Sequence, residues 1–101
     1  MSEKINRDKL NKANALINMH LCNFISDKFL KDPKNRNGVE ISQNSYAQLV
    51  GLSSSTLTKI KSSTGYDIPF STLYNICRHE KYSIKTLFKE FEEKYGINIP
   101  E

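Results

Sequence analysis

Residues 43–62 read QNSYAQLVGLSSSTLTKIKS, and their order decides the fold. Tyr46, Ala47, Leu49 and Val50 are the apolar residues of a short helix expected over about 43–50. Gly51 can take the left-handed conformation that ends such a helix. Leu52 falls in the turn, and Ser53 or Ser54 can cap a second helix that runs to about Ser62. Leu57 and Ile60 are three apart and share the inner face of that helix. Ala47 is small, so the second helix can approach the first closely. Two short helices joined by a glycine turn cross at a steep angle. Ser54, Ser55, Thr58, Lys59 and Ser62 are then expected to face outward.

Upstream, Ser42 is the expected cap of the first short helix. Before it lies the turn-rich segment from Asp32 to Gly38, in which Asn37-Gly38 supplies left-handed backbone. Val39, Glu40 and Ile41 alternate apolar, charged, apolar and suit a short extended piece. Earlier still, Leu10, Ala13, Ile17, Leu21 and Phe24 recur in steps of three or four. That spacing predicts a long helix over about 7–31, which Asp32-Pro33 ends. Leu16, Ile25 and Phe29 widen its stripe. Downstream, Pro69 leads into a helix that runs through about His79. Leu73, Ile76 and Cys77 lie on its inner face, with Phe70 and Tyr74 at the margin. Ser83 caps a last helix over about 84–95, with Ile84, Leu87, Phe88 and Phe91 as its stripe and Gly96 as its stop. The tail 97–101 is expected to dock or to be loose. The expected architecture is all-α: five helices in a single domain over 1–101, the first of them extended.

Composition excludes several classes. The chain has 101 residues, 38% of them hydrophobic and 26% charged, which suits one small domain with a limited core. No apolar run approaches the ~20 residues of a membrane span. Met1-Ser2-Glu3-Lys4 has no secretory character, so a cytoplasmic, nucleoid-associated protein is expected. Cys22 and Cys77 make no disulfide framework and are expected reduced and packed. His20 and Cys22, like Cys77 and His79, stand two apart. On a helix that separates each pair by about 200°, so neither can chelate from one face. No metal, cofactor or small-molecule ligand is expected, and the histidines read as surface groups. There is no phosphate-binding glycine loop and no nucleophile motif. Glu90, Glu92 and Glu93 alternate with Lys89 and Lys94 as a solvated helix face. No enzymatic activity is expected.

Charge placement is more telling than charge itself. The net charge is +4. Between Lys28 and Tyr66 there are six basic and two acidic residues, so this stretch holds the whole excess. From Ile41 to Tyr66, 26 positions contain no acid, while Lys59 and Lys61 are present. DNA phosphates reward such a stretch through counterion release. The outward residues of the second short helix are short and polar apart from Lys59. Its backbone can therefore come close to a major groove, where serine hydroxyls and Lys59 reach base edges or phosphates.

The chain resembles the Cro/phage-repressor helix-turn-helix family. Gln43, Ala47, Gly51, Leu57 and Ile60 fall at the spacing of that family's motif. Pro69, Leu73, Ile76, Ser83, Leu87 and Phe88 echo its fourth and fifth helices. The resemblance covers about Leu16 to Phe88 and implies a lambda-repressor-like DNA-binding domain. It places Gln43 where the family contacts phosphate and braces the recognition helix. Ser54, Ser55 and Lys59 lie where the family reads bases, with Ser53 and Thr58 as secondary candidates and Lys61 and Thr64 near the backbone. Three departures stand out. The connection before Gln43 is longer than the family's, so Lys34 and Arg36 have no counterpart there. Lys61 occupies a place where the family often has an acid. Glu80 occupies the place of a leucine late in the fourth helix.

The expected function is that of a sequence-specific transcriptional regulator, a repressor, which inserts helix 53–62 into the major groove of double-stranded DNA. Gln43, Lys61, Lys34 and Arg36 would position it on phosphates. A palindromic operator would require a homodimer, for which the apolar surface near Leu16, Met19, Ile25 and Phe29 is the candidate. That surface could equally pack on the fifth helix. The alternative function is a helical protein–protein interaction module, antitoxin-like or an adaptor, without direct DNA reading.

Overall fold

The structure is a computed structural model and describes residues 7–62 and 64–96. Five α-helices follow in order: α1 (Arg7–Ile25), α2 (Gln43–Val50), α3 (Ser54–Ser62), α4 (Phe70–Glu80) and α5 (Ile84–Tyr95). The tail 97–101 lies outside the described residues.

The helix ends have local causes. The Ser42 hydroxyl accepts from the Ser45 N–H at 3.1 Å and caps α2. Gly51 ends it at φ +75°. There the Leu52 N–H turns back to the Ala47 carbonyl at 2.8 Å. The Ser53 hydroxyl accepts from the Thr56 N–H at 3.1 Å, so Ser53 is the cap and α3 begins at Ser54. Pro69 precedes α4, and its carbonyl accepts from Thr72 and Leu73. Lys81 ends α4 with φ +53°. Ser83 caps α5 and Gly96 closes it.

The helix predicted over 7–31 changes pitch near its end. Ser26–Leu30 form one π-helical turn that continues α1. Phe24 and Phe29 are five apart, as are Ile25 and Leu30. On an α-helix a five-residue step leaves two side chains about 140° apart. The wider turn, with its i→i+5 bonds, brings them towards one face. All four are buried. Ile25 and Phe29 are therefore core residues, and the apolar surface expected of them is not available. Leu16 and Ile17 remain exposed, at 48% and 37%. Within α1 the buried residues are Cys22, Phe24 and Ile25, all in its second half.

The core forms where the amphipathic faces meet. α3 packs on α1 and α2, α2 on α4, and α5 on both α1 and α4. Ile25, Tyr46, Leu57, Ile60, Ile76 and Leu87 are almost fully covered. Each such apolar burial contributes about 1.5–3 kcal/mol. α5 docks on α1 through aromatic edges: Phe91 meets Phe24 at 5.6 Å between centroids, and His20 stacks on Tyr95 at 4.6 Å. α1 thus packs on α5 by its second half.

The loop before α2 is a small hairpin. Lys34 and Glu40 form an isolated antiparallel bridge. The Asn35 side-chain carbonyl accepts from the N–H groups of Asn37 and Val39 at 2.9 and 3.0 Å. The Ile41 N–H bonds to the Pro33 carbonyl at 2.9 Å. The extended piece expected at 39–41 is the second arm.

That hairpin corrects the reading of His79. Expected at the surface, His79 is only 9% exposed. Its Nε2 lies 2.9 Å from the Lys34 carbonyl, and its ring stands edge-on to Tyr46. The position looks exposed from the α4 stripe alone. A segment 45 residues earlier covers it. Glu80, in the place of a leucine, accepts the Tyr46 hydroxyl at 2.6 Å. Burial, reinforced by that bond, pushes the Tyr46 phenol far above its ordinary pKa, so it remains a donor.

Candidate nucleic-acid interface

α3 turns Leu57 and Ile60 inward, at 1% and 0% exposure. The 3.6-residue period then leaves Ser55, Thr58, Lys59 and Ser62 exposed, with Ser54 half-buried. α2 and α3 contain no acidic residue, and α3 ends on Lys59 and Lys61. Two lysines in its last turn complement the partial negative charge of the helix C-terminus.

Gln43, the first residue of α2, ties the two helices together. Its Nε2 lies 3.3 Å from both the carbonyl and the hydroxyl of Ser54. The same nitrogen reaches the Thr58 hydroxyl at 3.0 Å. Its Oε1 accepts from the Lys61 ammonium at 3.2 Å. The Thr58 hydroxyl in turn donates to the Ser54 carbonyl at 3.1 Å. One amide therefore uses both ends and fixes the start of α2 against the length of α3.

The structure places the expected contact residues in three groups. Gln43, Ser54, Thr58 and Lys61 form the brace. Ser53 is a cap whose oxygen also lies 3.1 Å from the Ser55 hydroxyl and 2.8 Å from that of Thr56. Ser55 and Lys59 project from the exposed face, and the Lys59 ammonium sits 5.6 Å from the Tyr66 ring centroid. Thr64 lies just past α3, its hydroxyl 3.3 Å from that of Ser62. Lys34 and Arg36 are on the hairpin, which leads through Ile41 and Ser42 into α2.

Three residues near these groups escape sequence reasoning. Tyr66 underlies Lys59, and its carbonyl accepts from the Cys22 thiol at 3.3 Å. His79 holds the hairpin, and Lys81 stands beside it at the end of α4. No spacing rule joins any of them to residues 43–62.

Other chemistry finds little footing. Burial pushes the Cys22 and Cys77 thiols above their ordinary pKa, which disfavours the reactive thiolate. Among the described residues no group of three His, Cys, Asp or Glu is placed to hold a metal ion. No described helix is long and apolar enough to cross a membrane.

A family model described as the Cro/C1-type HTH DNA-binding domain matches residues 39–93. The match runs from the second arm of the hairpin into α5. No curated protein and no solved structure matched the chain.

Proposed function

The chain belongs to the Cro/C1-type HTH DNA-binding family, and from that premise we propose a sequence-specific transcriptional repressor, working at the nucleoid, that lays α3 in the major groove. The observation that carries this reading is the acid-free α2–α3 unit, braced by Gln43, with Ser55 and Lys59 exposed on its outer face. Lys59 and Ser55 read base edges. Ser53, Ser54 and Thr58 are secondary readers, because their hydroxyls already serve caps and brace. A hydroxyl has one proton and two lone pairs, so those of Ser54 and Thr58 keep room for a further bond, and Ser53 exchanges one of its three for a contact to DNA. Gln43, Lys61 and Thr64 rest on phosphates along the groove that α3 fills, and Lys34 and Arg36 meet backbone only beyond it, from the hairpin.

Selection of bound sequences from a random duplex pool tests this directly. A symmetric enriched motif is expected from a homodimer reading two half-sites. Lys59→Ala is expected to weaken binding to the selected duplex by about 1–3 kcal/mol, the scale of one good base contact. Unchanged affinity and salt dependence in that variant would remove α3 from the groove.

A second reading, a helical protein-binding module, draws on one observation. Phe70 and Tyr74 are exposed at 58% and 38% and pack edge to face on α4. Absence of binding to mixed duplex DNA at low salt would select it.

A further inference from the structure

Three cations meet at one concave surface outside α3. Lys34 and Arg36 of the hairpin and Lys81 at the end of α4 line it, together with His79 and Glu80. The three cationic residues are exposed. Among the described residues none of them has a carboxylate within ion-pair distance. The Glu80 carboxylate is engaged by the Tyr46 hydroxyl at 2.6 Å. Cations outnumber carboxylates here by three to one. Arginine offers a planar fork that matches phosphate oxygens, and lysine a strong point charge.

The cluster is held in place. The Asn35 side chain ties the hairpin tip, and the Lys34–Glu40 bridge closes its base. A carbonyl only accepts, so His79 Nε2 must carry the proton it gives to Lys34. That bond pins the hairpin to α4. Five residue steps lead from Gly38 at the tip to Gln43 at the start of α2. They span at most about 18 Å. The tip therefore lies within about half a duplex repeat of ~34 Å from the start of α2.

We infer that this concavity is a second DNA contact, in which Lys34, Arg36 and Lys81 grip neighbouring backbone phosphates of the duplex flanking the groove that α3 fills. His79 is its positioning residue. The inference rests on the groove docking proposed above. Duplex DNA presents one charge per ~1.7 Å of axis, so a rigid cationic surface this close to α2 meets phosphate once α3 is seated.

The test uses the full chain and two duplexes. One is the selected site trimmed to its bound core, and the other adds roughly ten base pairs on each side, one helical turn. Wild type is expected to bind the longer duplex more tightly and with steeper salt dependence. Lys34→Ala/Arg36→Ala changes two exposed side chains. It is expected to match wild type on the short duplex and to lose the gain from the flanks. Loss of two phosphate contacts lowers the salt slope on the longer duplex by about 2. That is about a tenfold smaller fall in affinity between 50 and 200 mM salt. His79→Phe is expected to lose the flank gain with short-duplex affinity intact, and His79→Gln, which keeps an N–H donor, to recover it.

An equal flank gain in the double variant and wild type overturns the clamp while leaving the groove docking intact. Failure of wild type to bind either duplex overturns both. Chemical-shift changes at Arg36 and Lys81 on adding millimolar inorganic phosphate, with no flank gain, would assign the site to a free anion and overturn the DNA clamp. His79→Phe with the full flank gain would take His79 out of it.

Discussion

At Gln43 a single amide spans two helices, and the DNA-facing surface depends on how that amide is used. Gln43→Ala removes bonds to Ser54, Thr58 and Lys61 together. The expected cost in urea unfolding is modest, about 0.5–1.5 kcal/mol. DNA affinity should fall further than that, because Lys61 loses the Gln43 oxygen that helps to position it. Comparison of unfolding midpoints with duplex titrations separates the two effects. Tyr46→Phe is a harsher change. It leaves the half-buried Glu80 carboxylate without its donor, at about 1–3 kcal/mol. A double-mutant cycle with Glu80→Gln should show coupling between the two sites. The sequence placed Gln43 correctly at the head of α2 and marked Ser54 and Thr58 as outward. It did not show that Gln43 engages both hydroxyls. Hydrogen-bond partners 11 and 15 residues apart depend on the crossing of two helices, and no local rule reports that.

At the scale of elements, most boundaries follow from short signals. Ser42, Gly51, Ser53, Ser83 and Gly96 act within their own turns, where capping and left-handed backbone are local properties. Gly51→Ala is expected to cost about 1–2 kcal/mol from conformation alone. An added Cβ would stand 3.7 Å from the Asn75 amide, an ordinary contact, so no clash adds to it. The π turn after α1 is different, because the core selects it. It also carries Lys28 to α5, where the ammonium sits 2.9 Å from the Glu90 carboxylate and 4.7 Å from the Tyr82 ring centroid. The Tyr82 hydroxyl, then Lys28, hold the Glu90 carboxyl below the ordinary carboxylate range. A carboxyl depressed on folding stabilises the fold above its unfolded pKa and loses that effect as pH falls through the folded one. Unfolding midpoints of wild type and Glu90→Gln should therefore differ at neutral pH. They should converge once the pH drops below the ordinary carboxylate range. A constant difference across that range would show that Glu90 acts by packing and not by charge.

At the scale of the whole molecule, the first half of α1 has no buried residue, and Leu16 and Ile17 lie open at its middle. A second copy that covers them would supply the symmetry that two half-sites require. Leu16→Asp is then expected to shift sedimentation from dimer towards monomer and to weaken binding to a symmetric duplex more than to a single half-site. The sequence alone determined the five helices, their order, the glycine turn between α2 and α3, and the acid-free stretch around them. Each rests on spacing or on caps that act within a few residues. Tertiary structure decided the remainder: the π turn that takes Ile25 and Phe29 into the core, the burial of His79 under the hairpin, and the gathering of Lys34, Arg36 and Lys81. These depend on contacts between segments tens of residues apart. Packing density and hydrogen-bond satisfaction settle such contacts only when the whole chain is folded.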